Sequence, residues 1–239
     1  MPVLTGEVAK LRQALTVDIE LCGVPGVGKT TFLRLLLNNQ HFGGRWVWRY
    51  ADLVSLVKML PFRIFWLVHP SFLFFVFLLT VSSFRSRTVF KRGLVVLKEV
   101  LKRDLRRRDV TAVDQGVLQA LSSFLVFFPL LSDFWVRMLV DMVYGKKWPA
   151  ILILVYGDGS EVYNSLMKRL LSDSHNATSL DSLEEDDALR YLRIQEDLLN
   201  RMALYLKGKT PVCFVSRDDC VFCVGEVSTC LNSGSGVGA

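Results

Sequence analysis

Three glycines within six residues, Gly23-Val24-Pro25-Gly26-Val27-Gly28, followed at once by Lys29-Thr30, constrain the architecture of this chain more than any other feature. The residues before them, Val17-Asp18-Ile19-Glu20-Leu21-Cys22, alternate apolar and polar side chains and stop at a glycine, the pattern of a strand running into a loop. The residues after them, Thr30 to Leu37, continue as a helix, and Asn38 and Asn39 lead out of it. Strand, glycine loop and helix joined without spare residues form the opening unit of an α/β sheet.

The spacing fits G-x-x-x-x-G-K-[ST], and its physical logic is specific. The glycines let the backbone turn so that successive N–H groups point inward at phosphate oxygens. The helix that follows adds the positive end of its dipole. A nucleoside triphosphate is therefore the expected ligand, cradled by Gly23, Val24, Pro25, Gly26, Val27, Gly28, Lys29, Thr30 and Thr31. Lys29 is expected to reach the β- and γ-phosphates, and the Thr30 hydroxyl to ligate Mg²⁺.

Four more strand candidates follow: Trp46–Tyr50, Val110–Val113 ending at Asp114, Ala150–Tyr156 and Pro211–Val215. Ala150–Tyr156 is the clearest, seven apolar residues closed by Gly157-Asp158-Gly159, and such an unbroken run suits a parallel strand covered on both faces. Between the strands lie helical patterns: 52–108, Gly116–Tyr144 interrupted near Pro129, and Glu161–Leu171. A further long amphipathic helix reaches about Leu206, opened by the capping box Ser182-Leu183-Glu184-Glu185. The expected fold is α/β: three layers around a parallel sheet of about five strands, with a helical insert. No repeat or linker divides the 239 residues, so 1–239 reads as one domain, with 52–109 as the insert, 160–207 as a lid-like helical region and 232–239 as a flexible tail.

Glu20-Leu21-Cys22-Gly23-Val24-Pro25-Gly26-Val27-Gly28-Lys29-Thr30-Thr31 resembles the opening of P-loop kinases of the nucleoside and nucleotide kinase type, thymidylate kinase included. The order of elements over roughly residues 15–215 is similar as well. Other P-loop classes fit less. Asp114 is followed by glycine at the second position rather than the third, no Asn/Thr-Lys-x-Asp guanine reader occurs, and no Leu-Ser-Gly-Gly-Gln signature is present. The resemblance implies ATP as donor, Mg²⁺, and an ATP-dependent kinase acting on a small hydroxyl- or phosphate-bearing acceptor bound over the insert.

Thr111-Ala112-Val113-Asp114-Gln115-Gly116 puts a carboxylate at the C-terminal end of a strand, where ligands sit in open α/β sheets. By the resemblance Asp114 lies near the γ-phosphate and the acceptor, holding a metal-bound water or taking the acceptor's proton. Gln115 stands where many nucleotide kinases carry arginine. The resemblance further implies cationic lid residues that screen the transferring phosphoryl group, here Arg169 and Arg190, with Lys168 and Arg193 as neighbours. The stretch from Leu171 to Ser179 holds no arginine, and a solvated helix face is the other reading of each of these cations. A nucleotide-binding ATPase or switch without a small-molecule acceptor, peripheral to a membrane, is the rival function.

Half of the chain is hydrophobic, yet its net charge is +6, a balance that favours anionic partners. Ile64–Phe84 is a 21-residue stretch without Asp, Glu, Lys or Arg, long enough to span a bilayer. One crossing there would put the glycine loop and Asp114 on opposite sides, and His69-Pro70 breaks the run. Buried or peripherally docked helices are the expected outcome, with the basic series from Lys91 to Arg108 contacting anionic lipid, contacting a phosphorylated acceptor, or facing solvent. No nucleic-acid partner is expected. Met1–Glu20 lacks a signal-type apolar core and the five cysteines are an odd number, so the expected location is the cytoplasm, with peripheral membrane contact open. Cys213, Cys220, Cys223 and Cys230 read as core packing before they read as a zinc site. The sequon Asn176-Ala177-Thr178 reads as a chance match.

Overall fold

The computed structural model describes residues 18–38, 69–105, 111–114, 116–145, 148–149, 151–172 and 184–218. They form a mixed α/β fold: β1 (Asp18–Cys22), α1 (Lys29–Asn38), α2 (Pro70–Arg85), α3 (Arg87–Leu105), β2 (Thr111–Asp114), α4 (Val117–Leu125), α5 (Asp133–Tyr144), β3 (Ile151–Tyr156), α6 (Gly159–Ser172), α7 (Glu185–Leu206) and β4 (Val212–Ser216).

The four strands make one parallel sheet in the order β2-β1-β3-β4. β1 pairs with β2 from Asp18 opposite Thr111 to Leu21 opposite Asp114, and with β3 from Ile19 opposite Ile151 to Cys22 opposite Leu154. Every strand therefore ends on the same edge, at Cys22, Asp114, Tyr156 and Ser216. All of Ile151 to Val155 is buried. Because successive side chains point to opposite faces, both faces of β3 are covered, as its unbroken apolar composition requires.

α4 is buried almost all round, with Leu118, Leu121, Phe124 and Leu125 fully enclosed, and it packs against α3 and α7. α7 shows the ordinary amphipathic solution: Ala188, Tyr191, Leu192, Gln195, Leu198, Leu199 and Met202 recur at helical spacing and face the core. Its first turn carries Glu185, Asp186 and Asp187, which complement the positive end of the helix dipole. Arg92 of α3 ties three helices together by donating to the Ser123 carbonyl of α4 and to the Tyr191 hydroxyl of α7.

One expectation changes and two hold. α7 begins later than the capping box implies: its first residue is Glu185, Glu184 is its N-cap without a side-chain cap bond, and Ser182 lies outside the described residues. Three consecutive acids in the first turn favour that start by charge. The break expected at His69-Pro70 is present. Pro70 sits in the first turn of α2 with His69 as N-cap, its side chain accepting from the Ser71 N–H, so the chain breaks where proline lacks an N–H to give. No helix among the described residues is long and apolar enough to cross a membrane. The pattern over 116–144 resolves into α4 and α5, separated at Val126–Ser132 around Pro129. The fifth strand candidate, Trp46–Tyr50, residues 52–68 of the insert, residues 173–179 beyond the end of α6, and the tail lie outside the described residues.

Candidate functional site

The glycine loop occupies the edge where the strands end. Gly23 and Gly26 are needed for close approach. A Cβ on Gly23 would stand 2.4 Å from the Val155 carbonyl oxygen of β3, and one on Gly26 2.7 Å from Leu166 of α6. The loop is thus pressed against the end of β3 and the side of α6, with Val24 and Val27 buried as its anchors. Gly28 is glycine for another reason: its φ of 97° is a backbone conformation that side chains disfavour, and a Cβ there would meet nothing within 4 Å. Open space thus lies beside Gly28 at the first turn of α1, where the Phe32 N–H donates back to the Gly28 carbonyl.

Lys29 is 95% enclosed, its side chain only 5% exposed, and its ammonium donates to the carbonyls of Gly23 and Val24, both at 2.9 Å. The lysine therefore folds back over the loop and holds the positive charge at its mouth. Thr30 and Thr31 are exposed at the start of α1. Asp114 closes β2 opposite Leu21, two residues before Gly23, so the backbone brings the carboxylate-bearing position beside the loop. The side chains of Asp114 and Arg169 lie outside the described residues.

Two residues without a sequence signal belong to this edge. Glu20 is only 4% exposed, and both of its oxygens are used: Oε1 accepts the Leu118 N–H at 2.8 Å and Oε2 the Tyr144 hydroxyl at 2.8 Å. Its carboxylate caps the first turn of α4 from a neighbouring strand. Gly116, the N-cap of α4, makes room for it, because a Cβ there would lie 2.2 Å from the Glu20 carboxyl group. The string continues through Tyr144 to Arg103 of α3, whose guanidinium donates to the carbonyls of Val143 and Tyr144 at the end of α5 and lies 4.6 Å from the Tyr144 ring centre. Burial, then the Glu20 charge, push the Tyr144 hydroxyl well above its ordinary pKa. Burial and Glu20 do the same to the Cys22 thiol, with Lys29 opposing.

Arg217, just past β4, is the second. Its Cβ would be 3.3 Å from a Cβ on Gly157, which would also lie 3.4 Å from Val27 of the loop. One of its two terminal guanidinium nitrogens donates to the Ser165 hydroxyl at 2.8 Å, and the other is buried with no hydrogen-bond partner among the described residues. A buried unsatisfied guanidinium nitrogen is rare enough to call for a ligand or water.

The lid cations are placed more loosely. Lys168, Arg190 and Arg193 are exposed. A shallow groove on α7 is lined, among the described residues, by Asp186, Leu189, Arg190, Arg193 and Ile194. The Asp158 carboxyl is held below its ordinary value first by the Ser160 hydroxyl and N–H, then by the Glu161 N–H, with a smaller pull from the Arg193 charge. Burial, then the Asp158 charge, raise the Glu196 carboxyl. Arg193 thus belongs to the neighbourhood of the β3 end, and no hydrogen bond or ion pair among the described residues joins Arg190 to the loop.

Among the described residues no group of three or more His, Cys, Asp or Glu side chains converges as a metal site. Cys22 is buried and Cys213 half-buried, while Cys220, Cys223 and Cys230 lie outside the described residues. Comparison of the chain with protein-family models, curated proteins and solved structures gives no match.

Proposed function

We propose that the chain is a P-loop phosphotransferase of the nucleotide-kinase type, with the three-layer, five-stranded form of that fold, binding ATP with Mg²⁺ and transferring the γ-phosphate to a small hydroxyl- or phosphate-bearing acceptor. The observation that carries this reading is the loop between β1 and α1, with Gly28 at positive φ, open space beside it, and Lys29 at its mouth. Those features fit a triphosphate: the space lies at the start of a ten-residue helix, and the cation stands beside it.

In this reading the loop amides and Lys29 hold the phosphates, and the Thr30 hydroxyl and Asp114 hold Mg²⁺. Bound MgATP would supply the phosphoryl group, and its cation would offset the charge that develops during transfer. Asp114 takes the acceptor's proton, and Glu20 keeps the segment Asp114–Gly116 at a fixed distance from the loop by anchoring the start of α4. Arg217 adds a second cation near the loop, and Arg169 and Arg190 screen charge from the lid. The location that goes with this function is the cytoplasm.

A second reading, a nucleotide-dependent switch without a small acceptor, draws on Gln115 in the place of an arginine. Calorimetric titration with MgATP tests the shared premise. Wild type binds, and Lys29→Ala weakens binding about 100-fold by removing a charge-assisted contact; unaltered binding by the variant overturns both readings. ATP turnover with a panel of nucleosides, nucleotides and sugars separates them, because slow hydrolysis indifferent to every acceptor rejects the kinase.

A further inference from the structure

We propose that the α2–α3 hairpin docks on an anionic lipid surface. α2 and α3 are joined only by Ser86, and Leu79 of one meets Gly93 of the other, each seven residues from that corner. A Cβ on Gly93 would lie 2.3 Å from Leu79 and 3.0 Å from Phe124, so the two helices touch with no side chain between them at this point. Phe75, Leu78 and Ser82 of α2 face inward and are buried.

The outward face of α2 is as apolar as the inward one. Leu73 is 56% exposed, Phe77 59% and Phe84 87%, with Val76 and Val81 between them. These positions recur at i, i+3, i+4, i+8 and i+11 and form one stripe about 17 Å long at the rise of a helix. Aromatic contacts extend it sideways: Phe74 stacks on Trp135 with ring centres 3.9 Å apart, and Phe134, itself 66% exposed, meets Trp135 edge-on. A contiguous apolar surface of this kind marks a binding face.

The charges on the same hairpin say which kind. The exposed positions of α3 carry Arg87, Lys91 and Lys98 at helical spacing, with Leu94 and Val95 among them. Among the described side chains of the hairpin, no exposed position is acidic. Apolar side chains on one helix and cations on its neighbour complement acyl chains and anionic headgroups together. A second copy fits less well, since a two-fold contact through this hairpin would gather the cations of both copies. At 16 residues, α2 is too short to span a bilayer and lies along its surface.

The test is flotation of the full chain with vesicles of phosphatidylcholine alone and of equimolar phosphatidylcholine and phosphatidylglycerol, at low and high salt. Wild type is expected to float with the anionic vesicles, less at high salt, and not with the neutral ones. The double substitution Phe77→Ser and Phe84→Ser weakens partitioning at least about ten-fold. Arg87→Glu with Lys91→Glu weakens it at least about 25-fold. Circular dichroism and MgATP titration of both variants report folding, and Lys29→Ala floats like wild type, which separates this proposal from the nucleotide reading. Failure of wild type to float with anionic vesicles, equal flotation with neutral ones, or folded variants that bind like wild type each overturn the proposal. So does a wild-type dimer in sedimentation that the phenylalanine substitutions abolish, which would give the stripe to a second copy.

Discussion

At the scale of single residues, the buried carboxylate of Glu20 couples two segments that the chain order keeps 98 positions apart, since it accepts the Leu118 N–H. Such a group is stable only while both oxygens are satisfied. Tyr144→Phe removes one donor and should cost about 2 kcal/mol in urea denaturation. Gly116→Ala forces a methyl group into the carboxylate and should cost about 3 kcal/mol by the same measurement. Arg217→Met, which keeps the stem against Gly157 and Val27 but removes the unsatisfied nitrogen, is expected to leave stability unchanged or higher and to weaken MgATP binding about ten-fold. Unaltered affinity would show that the guanidinium serves only Ser165. Neither Glu20 nor Arg217 was legible in the sequence. An acid inside an alternating strand and an arginine after the last strand are unremarkable locally, and their partners are set by tertiary packing alone. Lys29 was legible because the glycine spacing before it encodes a backbone shape by itself.

At the scale of elements, composition sufficed where one element has one environment. β3 is apolar throughout and buried from Ile151 to Val155. β1 is announced by the glycine loop, and Pro129 marks the gap between α4 and α5. The start of α7 lies at Glu185, later than the Ser182–Glu185 pattern implies, where three acids in the first turn favour it by charge. The apolar stretch 64–84 is ambiguous for a different reason: apolar residues on every side of α2 give no periodic contrast, so only the packing distinguishes the face on α3 from the open one. The Leu79–Gly93 contact gives a prediction at this scale. Gly93→Leu should pry α2 from α3, cost about 2 kcal/mol in denaturant unfolding, and leave MgATP affinity unchanged because the loop packs on β3 and α6 instead.

At the scale of the whole molecule, stability should be insensitive to pH near neutrality and decline on the alkaline side. Tyr144 and Cys22 have pKa values raised by folding, above ordinary values of 10.0 and 9.0. The folded state therefore holds protons that the unfolded state releases first, and stability falls as pH rises past about 9, by up to about 1.4 kcal/mol per pH unit for each group. Denaturation midpoints taken from neutral to alkaline pH check this, and Cys22→Ala should make the decline shallower. The sheet order also dictates a sequence of events during synthesis. β1 sits between β2 and β3, so Asp18 waits for Thr111, 93 positions later, and Ile19 for Ile151, 132 positions later. At ribosomal rates the central strand stays unpaired for about 5 to 25 s while its neighbours are made. A chain stopped after α5 has the glycine loop but lacks β3, which both presses on that loop and pairs with β1; it should be cleaved rapidly by protease. Until β3 emerges, the edge of β1 that it covers is expected to stay open.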